Sequence, residues 1–108
     1  PAVIFTNDLH PRAFIWSEKR KGYTRVEKGA SLGAGSIVIC GSKTKPRVIG
    51  KYAMIGSGSV VTHDVPPHAL VVGNPARIIG LVCVCGEKIS EKEVEKCKND
   101  KCFHSLKK

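Results

Sequence analysis

Residues 26–61 read VEKGASLGAGSIVICGSKTKPRVIGKYAMIGSGSVV, and this stretch decides the fold. An aliphatic residue returns at every sixth position, with one longer interval of eleven. The aliphatic series consists of Val26, Leu32, Val38, Ile49, Ile55 and Val61. A helix repeats near 3.6 residues and a strand near 2, so a period of six indicates a solenoid in which each hexapeptide supplies a short strand and a corner.

Two further columns support this period. Glycine follows the aliphatic residue directly at Gly33, Gly50 and Gly56, where a missing side chain lets neighbouring coils approach. Small residues dominate the position four residues after each aliphatic, and that column comprises Ala30, Ser36, Ser42, Ala53, Ser59 and Val65. The sequence therefore predicts an all-β solenoid with stacked parallel strands. A small β-sandwich is the alternative, but it predicts a period of 2 and no glycine column.

Two polar segments interrupt the repeat. The interval of eleven is one repeat plus five residues, and the segment 42–47 is expected to leave the register intact as a loop. A longer loop is expected to protrude at residues 8–23, and long loops on a stiff scaffold are frequent functional sites. We place a boundary near Leu81, between a solenoid domain at residues 1–80 and a cysteine-rich tail at residues 81–108.

Composition narrows the classes of function. The chain carries 18 Lys and Arg against 9 Asp and Glu, a formal net charge of +9. Aromatic residues do not alternate with the lysines, so polyanionic small molecules are favoured over nucleic acid as partners. No apolar run approaches the roughly 20 residues of a membrane span, and the first residues lack a signal pattern. The sequence therefore predicts a soluble, cytoplasmic protein.

The run from Ile55 to Pro66, IGSGSVVTHDVP, followed by GNPAR at residues 73–77, resembles the ending typical of hexapeptide-repeat acyltransferases. FTND at residues 5–8 and PRA at residues 11–13 are similar to acetyltransferases of nucleotide-linked 3-amino sugars, with galactoside and maltose O-acetyltransferases second. The resemblance covers residues 1 to about 80. It implies a left-handed parallel β-helix, here of about three coils, which forms a homotrimer. It also implies transfer of an acetyl group from acetyl-coenzyme A to an amino or hydroxyl group of a sugar or sugar nucleotide.

The resemblance also assigns site residues. It places Asn7 and Asp8 at the acceptor, with His10 as a candidate base because imidazole titrates near neutrality. An Asn-Asp pair is also an ordinary turn former, and that alternative stays open. The implied coenzyme contacts are Ala53, Gly56, Ser57, Gly58, Gly73, Asn74, Pro75, Ala76 and Arg77. Arg77 fits a phosphate clamp because a guanidinium keeps its charge and can bind two oxygens at once.

The tail contains four cysteines, Cys83, Cys85, Cys97 and Cys102. They indicate first a structural zinc site, because thiolates bind zinc tetrahedrally and a segment without a core needs such a link. The spacing within each pair departs from that of a zinc knuckle, so disulfides and reduced thiols stay open as alternatives.

The start of the chain raises a rival function. Residues 1–5, PAVIF, already read as part of a coil, whereas members of the family carry several earlier coils. N-terminal coils, and with them part of the acceptor site, are therefore expected to be missing. A catalytically impaired or non-catalytic trimeric scaffold is the rival to the enzyme. The sequence leaves open the identity of the acceptor and the choice between N- and O-acetylation.

Overall fold

The computed structural model describes residues 1–90, and its regular structure is β-strand apart from one short 3₁₀ helix. This confirms the all-β prediction. The elements in chain order are β1 (Ile4–Phe5), the 3₁₀ helix (Glu18–Arg20), β2 (Thr24–Val26), β3 (Ser31–Leu32), β4 (Ile37–Val38), β5 (Arg47–Ile49), β6 (Met54–Ile55), β7 (Val60–Val61), β8 (Ala69–Gly73), β9 (Ala76–Val82) and β10 (Lys88–Ile89).

Three sheets form the faces of the molecule. Their strand orders are β1-β4-β7, β2-β5 and β3-β6-β8-β9-β10. From β1 to β8 the chain visits the three sheets in turn and returns to each of them one circuit later. The strands that meet after such a circuit are parallel. This path is that of a parallel β-helix, in which each coil stacks its strands on the coil before it.

The aliphatic column stacks in the register that the sequence predicts. Its members pair across one circuit of 23 residues, as Val26 with Ile49, Leu32 with Ile55, and Val38 with Val61. That circuit is three hexapeptides plus five residues, so the loop at 42–46 leaves the register intact. The later members of the column form one core at 1% exposure or less, and these are Val38, Ile49, Ile55 and Val61. Full burial of each such side chain contributes about 1.5–3 kcal/mol.

One position departs from the predicted columns. The sequence groups Val65 with the small residues, but Val65 pairs with Ile49 and is 4% exposed. It therefore continues the aliphatic column, and six residues later Val71 pairs with Ile55. The last circuit takes 16 residues because the segment 62–64 passes directly to Val65 instead of completing a hexapeptide. This shortening is invisible to a search for a constant period.

Two glycines of the column, Gly33 and Gly50, mark places where the backbones of two coils touch. A Cβ on Gly33 would lie 2.5 Å from the nitrogen of Ser57, and one on Gly50 would lie 2.5 Å from the nitrogen of Pro67. The backbone atoms of a stacked coil cannot move aside, so only glycine, which has no Cβ, fits at these two positions. The interpretation of the column as a close-approach device is confirmed.

The solenoid ends in an antiparallel hairpin. β9 folds back on β8 after the turn at Asn74-Pro75, whose peptide bond is cis, and β10 pairs with β9. His68 Nδ1 donates to the carbonyl of Val82 at 2.9 Å, which fixes the end of β9 against the preceding corner. β9 runs through the expected boundary at Leu81, and Lys88 and Ile89 of β10 pair with Val82 and Leu81 in the same sheet. Within residues 1–90, no helix has the length and apolar character that a membrane crossing requires.

Candidate functional site

Two of the expected coenzyme segments meet at one corner of the solenoid. Residues 56–58 form the turn between β6 and β7, and residues 73–77 contain the turn between β8 and β9. The N–H of Gly73 donates to Ser59 Oγ at 3.2 Å, and a Cβ on Gly56 would lie 2.7 Å from Cγ1 of Val72. We call this place, residues 56–59 with 73–77, the glycine corner. The fold thus brings together two segments that are separate in sequence.

The glycine corner exposes backbone rather than side chains. Gly58 has a φ of 71° and Gly73 a φ of 99°, a region that side chains disfavour. The N–H of Gly58 donates to the carbonyl of Ala34 at 2.8 Å, which fixes the turn to the coil below. Ser57, Gly58 and residues 73–75 are exposed to solvent. An extended ligand can therefore lie against this corner at backbone distance.

A cavity of about 420 Å³ lies beside Arg77 at the end of the solenoid. Its apolar lining includes Val61, Val65 and Val71 from the last circuit, and its polar lining includes His63 and Asp64. Arg77 is exposed and donates to the carbonyl of Ala76 at 3.2 Å. A cationic rim over an apolar floor suits a ligand that carries both phosphate and apolar parts.

Arg47 offsets the charge of Asp64 at this cavity. Its Nη1 lies 3.3 Å from Asp64 Oδ1, and its Nε donates to the carbonyl of Ile39 at 2.9 Å. The same carboxylate oxygen accepts the N–H of Val48 at 3.0 Å. The carboxylate is therefore paired within its own corner, and Arg77 is a lining cation without a carboxylate partner among residues 1–90.

Ala53 occupies a different place from the other expected coenzyme residues. It lies before β6, whereas the glycine corner follows that strand, and its side chain is 1% exposed in the core. Its N–H donates to Gly50 and its carbonyl accepts from Ser31 at 2.8 Å. Ala53 thus makes a corner of the coil, and the structure does not bring its side chain to the glycine corner.

The expected acceptor residues lie together at the base of the loop at 8–23. The carbonyl of Asn7 accepts the N–H of Gly22 at 2.8 Å, and Asp8 Oδ1 accepts the N–H of His10 at 2.9 Å. Asp8 therefore makes the turn that the sequence left as an alternative, and it is half-buried. His10 is exposed, and Arg20 Nη1 donates to its carbonyl at 2.7 Å. Leu9, His10, Pro11, Arg12 and Arg20 line a surface cavity of about 410 Å³.

The acceptor residues and the glycine corner occupy different corners of the chain. Asn7 and Asp8 follow β1, the first strand of its sheet, whereas the glycine corner lies between the third sheet and β7. β1 and β7 are separated by β4, and neighbouring strands of a sheet lie about 4.8 Å apart. A single chain therefore does not place the two groups of residues side by side.

The cysteines fall partly inside the described chain. Cys83 is buried and Cys85 is exposed, in a turn where the N–H of Gly86 donates to the carbonyl of Cys83 at 2.9 Å. Cys97 and Cys102 lie outside the described residues. Within residues 1–90, no group of three or more His, Cys, Asp and Glu side chains is placed to hold a metal ion. The predicted zinc site therefore stays a prediction.

Sequence reasoning missed two groups of residues that line cavities. His63 and Asp64 border the cavity beside Arg77, and Lys19, Lys21 and Lys43 border a cleft between the two loops. The signal for the first group is its place after Val61, where the constant period ends. The second group gives no local signal because it is assembled from two loops that are distant in sequence.

Comparison with known proteins identifies relatives of this chain, although no family model matches it. The chain is 54% identical over 68 residues to the dTDP-3-amino-3,6-dideoxy-alpha-D-galactopyranose 3-N-acetyltransferase of Aneurinibacillus thermoaerophilus, covering 63% of this chain and 33% of that protein. It is 40% identical over 78 residues to a putative acetyltransferase of Staphylococcus aureus, covering 69% and 37%. The chain thus spans about a third of the length of these relatives.

Solved structures similar to this chain also include hexapeptide-repeat acetyltransferases. A maltose O-acetyltransferase from Clostridium difficile 630 matches with a TM-score of 0.59 and 32% identity, over 75% of this chain and 42% of that one. A hexapeptide-repeat acetyltransferase from Vibrio cholerae, complexed with acetyl-coenzyme A, matches with a TM-score of 0.57 and 25% identity, over 75% and 43%. WeeI from Acinetobacter baumannii AYE matches with a TM-score of 0.53 and 46% identity, over 54% and 27%. The homologues of this chain therefore include a 3-amino-sugar N-acetyltransferase and hexapeptide-repeat acetyltransferases, the family that its sequence resembles.

Proposed function

We propose that this chain transfers an acetyl group from acetyl-coenzyme A to an amino or hydroxyl group of a sugar or sugar nucleotide. The observation that carries the proposal is the 54% identity over 68 residues to the N-acetyltransferase of a dTDP-linked 3-amino sugar. The complex of the Vibrio cholerae protein with acetyl-coenzyme A supports the cosubstrate. The maltose O-acetyltransferase keeps a hydroxyl acceptor within the proposal.

In this proposal the glycine corner and Arg77 hold the coenzyme. Arg77 binds phosphate oxygens, since its guanidinium keeps its charge and its only described hydrogen bond within residues 1–90 goes to the neighbouring carbonyl of Ala76. The exposed backbone at residues 57–58 and 73–75 lies along the pantetheine arm. The N–H groups of Gly58 and Gly73 are bonded within the fold, and Pro75 has none. The N–H groups of Ser57 and Asn74 are therefore the donors that would stabilise the negative charge developing on the thioester oxygen.

The acceptor side supplies the proton transfer. The amine nitrogen or hydroxyl oxygen of the acceptor attacks the thioester carbonyl, the C–S bond breaks, and coenzyme A leaves as its thiol. The nucleophile must lose a proton in this step, which requires a base within hydrogen-bonding reach. Asp8 and His10 are the candidates, and the 2.9 Å bond from the backbone N–H of His10 to Asp8 Oδ1 holds the two residues in one turn. Asn7 orients the sugar.

The fold proposal extends to handedness and assembly. We infer a left-handed β-helix of about three coils that assembles as a homotrimer. The separation of the acceptor residues from the glycine corner supports this, because a site that needs both is completed by a neighbouring copy. The loop at 8–23 carries Phe14, Ile15 and Trp16, which are 83%, 43% and 54% exposed in the single chain. Such an apolar cluster is expected to be covered by another surface.

The tail and the location of the protein also belong to this proposal. Residues 81–108 are a cysteine-rich appendage to the solenoid at residues 1–80, with zinc held by Cys83, Cys85, Cys97 and Cys102. The burial of Cys83 and the tight turn at residues 83–86 are compatible with a metal-binding turn. We further propose that the protein acts in the cytoplasm, with acetyl-coenzyme A and a small sugar-type acceptor as its partners.

Release of free thiol from acetyl-coenzyme A tests the proposal. The full 108-residue chain is incubated with acetyl-coenzyme A and either a dTDP-linked 3-amino sugar or maltose, and thiol is measured over time. We expect acceptor-dependent release that is faster with the amino sugar. If acetyl-coenzyme A binds but neither acceptor raises thiol release above the rate without acceptor, the non-catalytic scaffold is the better account.

A further inference from the structure

A cleft of about 370 Å³ lies between the two loops that leave the solenoid. We call it the loop cleft. The long loop and the short loop at residues 42–46 both contribute to it. Its lining consists of Glu18, Lys19, Lys21, Tyr23, Ser42, Lys43 and Thr44. None of these residues belongs to the glycine corner or to the cavity beside Arg77.

The loop cleft carries an excess of positive charge. Three lysines face one carboxylate, that of Glu18. The carboxylate ion pairs found within residues 1–90 are Arg25 with Glu27 and Arg47 with Asp64, and neither includes a lysine of the cleft. The ammonium groups are therefore available to an anion from solution. A concave surface with a net positive charge also concentrates the electric field that attracts such an anion.

The walls of the loop cleft are fixed by hydrogen bonds at their bases. Tyr23 and Gly41 exchange N–H to carbonyl bonds at 2.9 and 3.0 Å, which joins the end of the long loop to the start of the short one. Ser42 Oγ accepts the N–H of Lys45 at 3.0 Å, which closes the short loop. Lys21 Nζ lies 5.7 Å from the centre of the Tyr23 ring, a cation–π distance. The charged groups thus stand on an ordered framework.

We propose that the loop cleft binds the phosphate groups of a phosphorylated small ligand, a diphosphate in the first place. Ammonium groups bind phosphate oxygens as point charges. The hydroxyl of Tyr23 can donate to the same oxygens, and so can one of the hydroxyls of Ser42 and Thr44, which lie 3.3 Å apart and share a hydrogen bond. Tyr23 is the one aromatic residue of the lining, so the cleft lacks the stacked platforms that hold a nucleic acid strand. Coenzyme A and a sugar nucleotide both carry a diphosphate, and the inference rests on the proposed function only for the choice between them.

Calorimetric titration with inorganic pyrophosphate tests the loop cleft independently of acetyl transfer. The full chain is titrated at about 150 mM salt, where charges further apart than roughly 8 Å are screened. The double variant Lys19→Gln/Lys43→Gln removes two cleft charges. The control Lys28→Gln/Lys51→Gln removes two exposed lysines that do not line the cleft. Circular dichroism confirms that both variants keep the β spectrum.

We expect saturable pyrophosphate binding that weakens at least about tenfold in the cleft variant, since each charge-assisted hydrogen bond lost costs about a factor of ten or more. The control is expected to change the affinity by less than about twofold, as for distant screened charges. Absence of saturable binding, or equal losses in both variants, would overturn the proposal. So would tighter binding of a short single-stranded oligonucleotide that is lost in the cleft variant.

Two further titrations identify the source of the phosphate. Thymidine diphosphate represents the acceptor, and coenzyme A represents the cosubstrate. A tenfold loss with either ligand in the cleft variant supports the cleft and assigns that ligand to it. Unchanged affinity for both ligands would overturn the phosphate site in the loop cleft, even when Arg77→Ala weakens coenzyme binding and thereby supports the proposed coenzyme site.

Discussion

Gly33 shows at the scale of one residue why the coils need glycine. A Cβ there would lie 2.5 Å from the nitrogen of Ser57 and 2.7 Å from the carbonyl oxygen of Ile55, both backbone atoms. Gly33→Ala is therefore expected to lower the free energy of unfolding by about 2–3 kcal/mol through overpacking. Chemical denaturation measures the change.

Gly80→Ala is the matched control for Gly33→Ala. An added Cβ at Gly80 meets nothing within 4 Å, and its φ lies outside the left-handed region. This variant is expected to raise the free energy of unfolding by about 0.5 kcal/mol, because alanine restricts the unfolded chain. Equal effects at the two positions would contradict the account of the glycine column as a contact between backbones.

Asp8 has two possible roles, as a base for the acceptor and as a turn former, and a single substitution can separate them. Asp8→Asn keeps a side-chain oxygen that can accept the backbone N–H of His10. The 2.9 Å hydrogen bond that closes the turn is therefore retained, while the negative charge is removed. If Asp8 is the base, kcat falls about 10²- to 10⁴-fold while the affinity for acetyl-coenzyme A is retained. Steady-state kinetics and calorimetry measure the two quantities.

Glu27→Gln provides the matched control, because Glu27 is a carboxylate that pairs with Arg25 at 3.5 Å on the surface. It is expected to leave kcat within about twofold, as surface pairs contribute little. An unchanged kcat in Asp8→Asn would confine Asp8 to the turn and leave His10 as the base.

At the scale of the strands, the core depends on side chains that stack from coil to coil. Ile55 pairs with Leu32 on one side and Val71 on the other, and is 1% exposed. Ile55→Ala is expected to lower the free energy of unfolding by about 2–5 kcal/mol, the range for truncating a buried isoleucine. Ile78→Ala, at a side chain that is 56% exposed, is expected to change it by less than about 0.5 kcal/mol. Similar losses in both variants would contradict the assignment of the core face.

The strands from β2 to β7 could be predicted from the sequence because each obeys one period. Val26, Leu32 and Val38 fall opposite their predicted partners, and the loop at 42–46 is an insertion that does not disturb them. The last circuit could not be predicted in the same way. The chain reaches Val65, the partner of Ile49, by a path that is shorter than a full hexapeptide. In the hairpin that follows, β8 and β9 pair antiparallel instead of stacking in parallel. The end of the period after Val61 is visible in the sequence, but the period does not show which path the chain takes beyond that point.

At the scale of the whole molecule, the candidate site follows from how corners and loops stack. The resemblance identified residues 56–58 and 73–77 separately, and the structure joins them through the bond from Gly73 to Ser59. The buried position of Ala53 could not be predicted, since small residues serve both as core corners and as ligand contacts. The loop cleft could not be predicted either, because Lys21 and Lys43 meet only through the pairing of Tyr23 with Gly41.

The central claim, that the glycine corner with Arg77 is a coenzyme site, is tested most directly by calorimetric titration of the full chain with acetyl-coenzyme A. We predict saturable binding that weakens about tenfold or more in Arg77→Ala, the loss expected for a charge-assisted bond to phosphate. Arg25→Ala, which removes an exposed arginine paired with Glu27, should leave the affinity within about twofold, as for a surface ion pair. Absence of saturable binding in the intact chain, or equal losses in the two variants, would contradict the account.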